Sequence, residues 1–150
     1  MKIAIGNDHG GVEMKNHIVN WLQQNGYEVV NLGTDDTAST DYPIYAERVA
    51  RVVVSGECDR GVLICGTGIG ISISANKVHG VRCALCSEPV SAALSRQHND
   101  ANIVAMGART IGLVMAEEIV KTFLTESFEG GRHAIRVGKI MALDRGETLE

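Results

Sequence analysis

The stretch "GVLICGTGIGISISANK" at residues 61–77 connects a buried strand to a helix through a glycine-rich loop. Its first five residues form a short apolar run, which is typical of a strand covered on both faces. Gly66, Gly68 and Gly70 follow, and glycine permits the positive φ angles and the close backbone approach that a sharp turn requires. Residues 71–77 predict a short helix. The stretch is therefore one strand–loop–helix unit of an α/β protein.

The same alternation of short apolar runs and 3.6-residue periodicity extends along the whole chain. It predicts strands at residues 2–5, 27–33, 61–65, 81–86 and 102–107. It predicts helices at about residues 11–24, 44–55, 71–77, 89–97, 111–124 and 133–143. Strands that alternate with helices form a parallel sheet with helices on both faces. We therefore expect an α/β fold, a Rossmann-like doubly wound five-stranded parallel sheet, as a single domain over residues 1–150.

The composition restricts the classes of partner. The chain has 150 residues, 45% of them hydrophobic and 21% charged, and a net charge of −4. This negative balance argues against nucleic acid, because a phosphate backbone requires a basic face. No segment approaches the roughly 20 apolar residues of a membrane helix, which argues against a membrane partner. The N-terminal "MKIAIGNDHG" does not resemble a signal peptide, so we expect a cytoplasmic protein with reduced cysteines.

Polar side chains follow most of the predicted strands. In doubly wound sheets, ligands bind outside the carboxyl ends of the strands, where the strand order reverses. These ends, with the end of the fourth helix, offer a thiol, two imidazoles, a carboxylate, a phenol and a guanidinium. The residues concerned are Asp8, His9, Tyr42, Cys65, His98 and Arg109. If these ends converge, the set suits proton transfer on a polar, anionic small molecule.

Cys65 stands directly before the glycine loop. Backbone N–H groups and a following helix N-terminus would stabilise an anion, either a phosphate or an oxyanion, and would also favour a thiolate at Cys65. Such a thiolate serves as a nucleophile or as a proton acceptor. The alternatives are a glycine turn required only by packing and a cysteine that is a small buried hydrophobe. A cysteine phosphatase would have an arginine where Ile71 stands.

The remaining cysteines and histidines do not predict a metal site. Cys83 and Cys86 lie three apart on a strand, so their side chains point to opposite faces and cannot chelate together. His98 and Asp100 do not have the helical i, i+4 spacing of a ligand pair. We therefore expect no metal and no cofactor.

Two arginines near the C-terminus suit an anionic ligand. Arg132 and Arg136 are four residues apart on the last predicted helix and therefore share one face. Paired guanidiniums bind phosphate, although such pairs are often only solvated.

His98 follows the last apolar turn of its helix, and histidine can both accept and donate a proton near neutral pH. A surface residue at a helix end is the alternative for His98.

Five motifs together resemble the ribose-5-phosphate isomerase type B family, which also contains allose-6-phosphate and galactose-6-phosphate isomerases. The resemblance covers nearly the whole chain. The motifs are "DHGG" (8–11), "TDYP" (40–43), "CGTGIGISISANK" (65–77), "SRQHND" (95–100) and "EGGRH" (129–133) with a further arginine at 136.

The resemblance implies a metal-free aldose–ketose isomerisation of a sugar phosphate through a cis-enediolate. By this analogy, Cys65 moves the proton between C1 and C2, and His98 opens the furanose ring. Thr67 and the N–H groups of the loop at Gly66, Gly68 and Gly70 would stabilise the enediolate oxygens. Without the resemblance, the chemistry of these residues favours binding of the phosphate group in this loop. Another branch of the family uses a glutamate base at the position of Ile71, which an isoleucine cannot replace.

The resemblance also implies the binding residues and the assembly. Asp8, Tyr42 and Asn99 would hold the sugar hydroxyls. The phosphate would be bound by His9, Arg109, Arg132 and Arg136. The family forms homodimers or dimers of dimers with shared active sites. We expect the C-terminal helix, from about residue 133, to complete the phosphate site across a dimer interface.

The expected substrate is ribose 5-phosphate, interconverted with ribulose 5-phosphate. A 6-phosphohexose, allose 6-phosphate or galactose 6-phosphate, is the alternative within the family. Two other classes share part of the pattern. A nucleotide-binding regulatory module would share the fold and the loop but would not need Cys65 together with His98. A thiol hydrolase or cysteine phosphatase would share Cys65 but would need the arginine that is absent at position 71.

Overall fold

The computed structural model describes all residues from Met1 to Glu150. Five strands are present: β1 (Lys2–Asn7), β2 (Glu28–Asn31), β3 (Arg60–Cys65), β4 (Cys83–Leu85) and β5 (Ile103–Gly107). Six α-helices lie between and after the strands: α1 (Val12–Gln24), α2 (Tyr42–Val54), α3 (Ile69–Ala75), α4 (Pro89–Asn99), α5 (Leu113–Thr125) and α6 (Arg132–Asp144). A short 3₁₀ turn at His9–Gly11 precedes α1. Each predicted strand and helix is therefore present.

The strands form one sheet in the order β2-β1-β3-β5-β4, and every pair is parallel. The chain builds outward from β1 to β2 and then crosses back to place β3 on the other side of β1. The strand order thus reverses between β1 and β3, which creates a crevice at the carboxyl edge of the sheet. The predicted doubly wound parallel sheet is confirmed.

Alternate side chains of the central strands enter two separate cores. Ile3 and Ile5 on β1 belong to the core beneath α1, α4 and α5, whereas Ala4 belongs to the core beneath α2 and α3. On β3, Ile64 faces the first core and Cys65 faces the second. The two-residue period of a strand therefore aims the thiol toward the α2 and α3 side of the crevice.

The observed bounds of two elements differ from the predicted ones for local reasons. Helix α2 begins at Tyr42, two residues before the predicted start, because proline is tolerated in the first turn of a helix and Pro43 lies there. Strand β2 ends at Asn31, two residues early, because the Asn31 side chain accepts a hydrogen bond from the N–H of Gly33 and turns the chain. Tyr42 and the loop before it lie beside the residues that follow β1.

Helix α6 lies at the periphery and is attached mainly to α4. His133 is its single buried residue, and Ile135 and Leu143 are well exposed. No helix has both the length and the apolar character needed to cross a bilayer.

Candidate active site

A cavity of about 590 Å³ opens at the carboxyl edge of the sheet, at the crevice between β1 and β3. The two strands are joined there by a hydrogen bond from the N–H of Asp8 to the carbonyl of Ile64 (3.2 Å). Eight predicted site residues line this cavity: Asp8, His9, Tyr42, Cys65, Gly66, Thr67, Gly70 and Arg109. The strand ends of β1, β3 and β5 and the start of α2 therefore converge as expected.

Cys65 ends β3 at the base of the cavity, with 4% of its surface exposed. Its Sγ accepts a hydrogen bond from the backbone N–H of Gly68 at 3.1 Å. Gly68 adopts φ +77°, a left-handed conformation that favours glycine, and it begins the turn into α3. The loop thus folds back so that a main-chain donor faces the sulfur.

The three loop glycines also provide close packing. A Cβ on Gly68 would lie 2.5 Å from Leu85 Cδ1 and 2.8 Å from the carbonyl carbon of Met106. A Cβ on Gly70 would lie 2.4 Å from the ring of Tyr42. Thr67, between Gly66 and Gly68, is exposed, and its Oγ1 accepts a hydrogen bond from the N–H of Ile69 at 3.2 Å. The glycines therefore bring Tyr42 and the loop backbone to the same wall of the cavity.

Asp8 and His9 are both held by backbone hydrogen bonds. The buried carboxylate of Asp8 accepts the N–H of Gly10 at 2.9 Å and caps the turn that follows β1. His9 Nδ1 accepts the N–H of Thr40 at 3.1 Å. Because Nδ1 is the acceptor, the proton of the neutral imidazole lies on Nε2. His9 can therefore offer that N–H as a donor to a ligand.

Thr40 is a cavity residue that the sequence analysis did not single out. It lines the cavity beside Tyr42, and its hydroxyl Oγ1 is buried without a hydrogen-bond partner. Its position two residues before Tyr42, at the start of "TDYP", was the available indication in the sequence.

Arg109 supplies positive charge to the cavity. It follows β5, and its N–H donates to the carbonyl of Gly66 at 2.9 Å. Its guanidinium lies over Gly66, where a Cβ would be 3.4 Å from Nη1. No carboxylate forms an ion pair with Arg109, so the guanidinium is available to an anionic ligand.

Within one chain, His98 and Asn99 do not reach this cavity, so the convergence considered for His98 and the strand ends does not occur inside a single copy. They end α4, which starts at the carboxyl edge with Pro89 and runs back to the amino edge. There, the carbonyl of Asn99 accepts Nε of Arg82, the residue just before β4, at 3.2 Å. A helix that follows a strand returns antiparallel to it, so its end lies at the opposite edge of the sheet.

Arg132 and Arg136 accompany His98 at this opposite edge. The preceding loop is attached to α4 by the N–H of Glu129, which donates to the carbonyl of Gln97 at 3.0 Å. Both arginines are exposed on α6, where their spacing of four residues puts them on one face as predicted, and neither takes part in an ion pair within the chain. One chain therefore carries two separate groups of predicted residues, one at each edge of the sheet.

His98 lies against a second histidine that the sequence analysis did not consider. The rings of His98 and His133 stack with centroids 4.2 Å apart and planes 8° apart. Burial and, next, the charge of His98 hold the pKa of His133 below its ordinary value. Glu129 lies beside both rings, 4.0 Å from His98 Nε2 and 3.5 Å from His133 Nε2. Glu129 and His133 are four residues apart in the sequence, but no spacing connects them with His98.

The other cysteines take no part in either group. Cys83 packs against the core beneath α2 and α3, whereas Cys86 lies in the core beneath α1, α4 and α5, so their side chains point to opposite faces as predicted. Burial raises the pKa of Cys58 and Cys83, and it raises the pKa of Cys86 to about 11. All three are therefore protonated thiols at neutral pH.

The profile of the ribose/galactose isomerase family matches residues 3–140. This chain belongs to the ribose/galactose isomerase family. The resemblance inferred from its motifs is thereby confirmed, and membership supports neither a nucleotide-binding module nor a cysteine phosphatase.

Individual members of the ribose/galactose isomerase family are similar over nearly their whole length. Ribose-5-phosphate isomerase B of Escherichia coli is 53% identical over 144 residues, which cover 96% of this chain and 97% of the relative. D-erythrulose-4-phosphate isomerase of Pectobacterium atrosepticum is 43% identical, with 93% of each chain covered. The structure of ribose-5-phosphate isomerase B of Clostridium thermocellum superposes with a TM-score of 0.96 at 54% identity, covering 97% of this chain and 99% of the other.

Proposed function

We propose that this chain is an aldose–ketose isomerase that interconverts ribose 5-phosphate and ribulose 5-phosphate without a metal ion. The observation that carries the proposal is the Cys65 thiol at the base of the cavity, with the N–H of Gly68 donating to its Sγ at 3.1 Å. Such a donor stabilises negative charge on sulfur, and isomerisation needs one group that can take and return a carbon-bound proton. Family membership and the names of the relatives support this assignment.

In the proposed reaction, Cys65 removes the proton from C2 of the open-chain aldose. The electron pair of that C–H bond forms the C1–C2 double bond of a cis-enediolate, and the negative charge moves to the former carbonyl oxygen. Backbone N–H groups of the loop from Gly66 to Gly70, together with Thr67, stabilise this charge. Cys65 then returns the proton to C1, while the proton of the C2 hydroxyl passes to the oxygen on C1. The net change is the movement of two hydrogens within the sugar.

The remaining cavity residues are assigned to binding. Asp8 and Tyr42 hold sugar hydroxyls, because both are polar groups that line the cavity beside Cys65. His9 and Arg109 bind the phosphate: His9 has its Nε2–H free, and Arg109 has no ion-pair partner. A cavity of about 590 Å³ accommodates such a phosphosugar with bound water.

We further propose that a second copy of the chain completes the site as a homodimer or a dimer of dimers. His98, the proposed ring-opening residue, lies at the opposite edge of the sheet from Cys65, and so does Asn99, the proposed hydroxyl ligand. Arg132 and Arg136 are exposed there without partners and would bring two positive charges to a partner's phosphate site. The exposed apolar residues of α3 and α6 provide surface for such a contact.

We assign the enzyme to the cytoplasm, because a free thiol base needs a reducing compartment. All four cysteines are unpaired in the fold. A compartment that forms disulfides would put Cys65 at risk of oxidation.

The test is isomerisation by the purified protein in the presence of EDTA. Ribose 5-phosphate, allose 6-phosphate, galactose 6-phosphate and erythrulose 4-phosphate are compared side by side, since relatives in the family carry names with different sugars. We expect the highest kcat/KM with ribose 5-phosphate. A higher value with one of the other sugars would replace the substrate but keep the reaction. Folded protein that acts on none of the four would contradict the proposed function.

A further inference from the structure

The His98 ring is not fixed by a hydrogen bond within the chain. The histidine rings that form hydrogen bonds are those of His9, His17 and His79. The carboxylate of Glu129 lies 4.0 Å from His98 Nε2, which is beyond hydrogen-bond distance. His98 also lies in the last turn of α4, and 37% of its side chain is exposed. Such a side chain can change between rotamers unless another contact holds it.

The contact that holds His98 is the face of the His133 ring. The two ring centroids are 4.2 Å apart, and the planes differ by 8°. Parallel stacking of this kind uses only the faces of the rings. Both nitrogens of an imidazole lie in the plane of the ring, at its edge. The stack therefore fixes the plane of the His98 ring and leaves Nδ1 and Nε2 available, whereas a hydrogen bond would occupy one of them.

His133 is itself held in place and can serve as a support. It is 7% exposed and is the single buried residue of α6. The loop before α6 is joined to α4 by the N–H of Glu129, which donates to the carbonyl of Gln97 at 3.0 Å. Gly130 and Gly131 adopt φ +67° and +56°, in the left-handed region that favours glycine. The glycine pair of "EGGRH" therefore turns the chain so that His133 returns onto the end of α4.

Ring opening of a furanose depends on how the edge of His98 is oriented. The bond between C1 and the ring oxygen breaks, the C1 hydroxyl loses its proton as it becomes the aldehyde, and the ring oxygen gains a proton. A histidine that accepts the first proton and donates the second must keep its nitrogen edge aligned with both oxygens. A displacement of about 1 Å from such a geometry can lower the rate about 100-fold. Ring opening therefore requires a fixed plane for the His98 ring.

We propose that His133 is a positioning residue for ring opening, whose imidazole holds the plane of the His98 ring in the same chain so that the nitrogen edge of His98 faces the sugar. This role rests on the proposed function, in which His98 opens the ring. Arg132 and Arg136 on the same helix are exposed, whereas His133 is buried against His98, so His133 acts through His98 and not on the phosphate. The role requires a flat ring at position 133 and does not require its nitrogens.

Two substitutions separate the flat ring from the nitrogens. His133→Leu removes the ring but keeps a side chain of similar size, and His133→Phe keeps a flat ring without nitrogen. For ribose 5-phosphate, we expect His133→Leu to lower kcat by about 10- to 100-fold with KM changed less than about twofold, and His133→Phe to keep kcat within about threefold of the wild type. His17→Leu is the matched control, because His17 joins α1 to α5 through Glu117 away from both groups of site residues, and its kcat should not change.

Three kinetic results would overturn the positioning role. A wild-type kcat for His133→Leu would show that the stack is not needed. Equal losses for His133→Leu and His133→Phe would show that a nitrogen of His133 takes part. A raised KM with unchanged kcat would show that His133 only anchors α6 and its arginines. The free energy of unfolding by denaturant is measured for every variant, so that only folded proteins are compared.

The dependence on His98 is tested by combining substitutions. Residues that act as a unit have non-additive effects, so His133→Leu should lower kcat less than about twofold further in a His98→Asn background. A loss as large as the one caused in the wild type would show that His133 acts independently of His98 and would overturn the proposal.

The NMR signals of the His98 ring test its position without turnover. Stacked aromatic rings shield each other's carbon-bound protons, so we expect the Cε1 and Cδ2 protons of His98 to lie upfield of those of the exposed His79. They should move toward the His79 positions in His133→Leu and remain upfield in His133→Phe. Unchanged His98 signals in His133→Leu would overturn the proposal. Absence of turnover by the wild type would contradict the proposed function, while these spectra would still decide whether His133 holds the His98 ring.

Discussion

The Sγ atom of Cys65 accepts a hydrogen bond from the backbone N–H of Gly68 at 3.1 Å. This contact depends on the left-handed conformation of Gly68, which turns the loop back over the end of β3. A side chain at position 68 would be strained and would also meet Leu85 and Met106. The glycine loop therefore places a fixed donor on the sulfur before any ligand arrives, which is the arrangement that a thiolate base requires.

Cys65→Ala should abolish isomerisation while preserving the fold. Loss of a proton-transfer group costs about 100- to 10,000-fold in rate, whereas the lost packing of one sulfur costs about 1 kcal/mol. The measurements are kcat for ribose 5-phosphate and the free energy of unfolding by denaturant. Near-normal turnover by a folded variant would remove Cys65 from the role of base.

Iodoacetamide at neutral pH should modify Cys65 before the other cysteines. The pKa of Cys86 is raised to about 11 by burial, so only about one molecule in ten thousand is thiolate at pH 7. Cys58 and Cys83 also have raised pKa values, and of the four cysteines only Cys65 lines the 590 Å³ cavity. Peptide mass mapping over time gives the order, and a saturating sugar phosphate should slow the modification. Faster labelling of Cys83 or Cys86 would contradict the prediction that Cys65 is modified first.

Gly70→Ala should lower kcat/KM by displacing Tyr42. The added Cβ would lie 2.4 Å from the Tyr42 ring, which must move away from the cavity. We expect a decrease of about tenfold, mostly through KM, comparable to the loss of one hydroxyl contact with the substrate. Gly112→Ala is the matched control, because nothing lies within 4 Å of a Cβ there. Equal kcat/KM values for the two variants would show that Tyr42 does not contribute to substrate binding.

A mixture of two inactive variants should regain activity if the site is shared between copies. In a mixed dimer of Cys65→Ala and His98→Asn, one site combines the intact Cys65 of one chain with the intact His98 of the other. Random association of equal amounts makes half of the dimers mixed, so about one quarter of the wild-type activity should return. Co-expression with different affinity tags gives the mixed species. A mixture that stays inactive although the chains exchange would place both residues in one chain's site.

The ion pair between Lys15 and Asp35 should respond differently to the loss of each partner. The Lys15 side chain is fully buried on α1, whereas Asp35 is largely exposed in the loop that leads to Thr40 and α2. Asp35→Asn leaves a buried charge without its counter-ion and should cost about 2 kcal/mol, between the values for buried and surface pairs. Lys15→Met removes the charge as well and should cost less. Equal losses in chemical denaturation would contradict this asymmetry.

The sequence predicted the fold and one half of the site for a common physical reason. Strands buried on both faces are recognisable as apolar runs, and their carboxyl ends lie at one edge of a parallel sheet. Residues directly after strands, such as Cys65 and Arg109, could therefore be placed together from their positions alone. Asp8 and His9 were placed by the same argument, and all four line one cavity.

The other half could not be derived from strand ends. His98 was grouped with them, but α4, which is eleven residues long and starts at Pro89, returns it to the amino edge of the sheet. The contact of Glu129 and His133 with His98 depends on how α6 packs against α4, for which no periodicity gives the docking geometry. The Thr40 hydroxyl was missed because burial without a partner is a property of the folded loop alone.

The location of Cys65 and His98 at opposite edges of one sheet has a kinetic consequence in the proposed assembly. No hinge within the chain could bring the two together, so an isolated copy opens no sugar ring at its own thiol. Specific activity should therefore fall on dilution, once the protein concentration is low enough for the assembly to dissociate. An enzyme built in this way makes its turnover depend on its own cellular abundance.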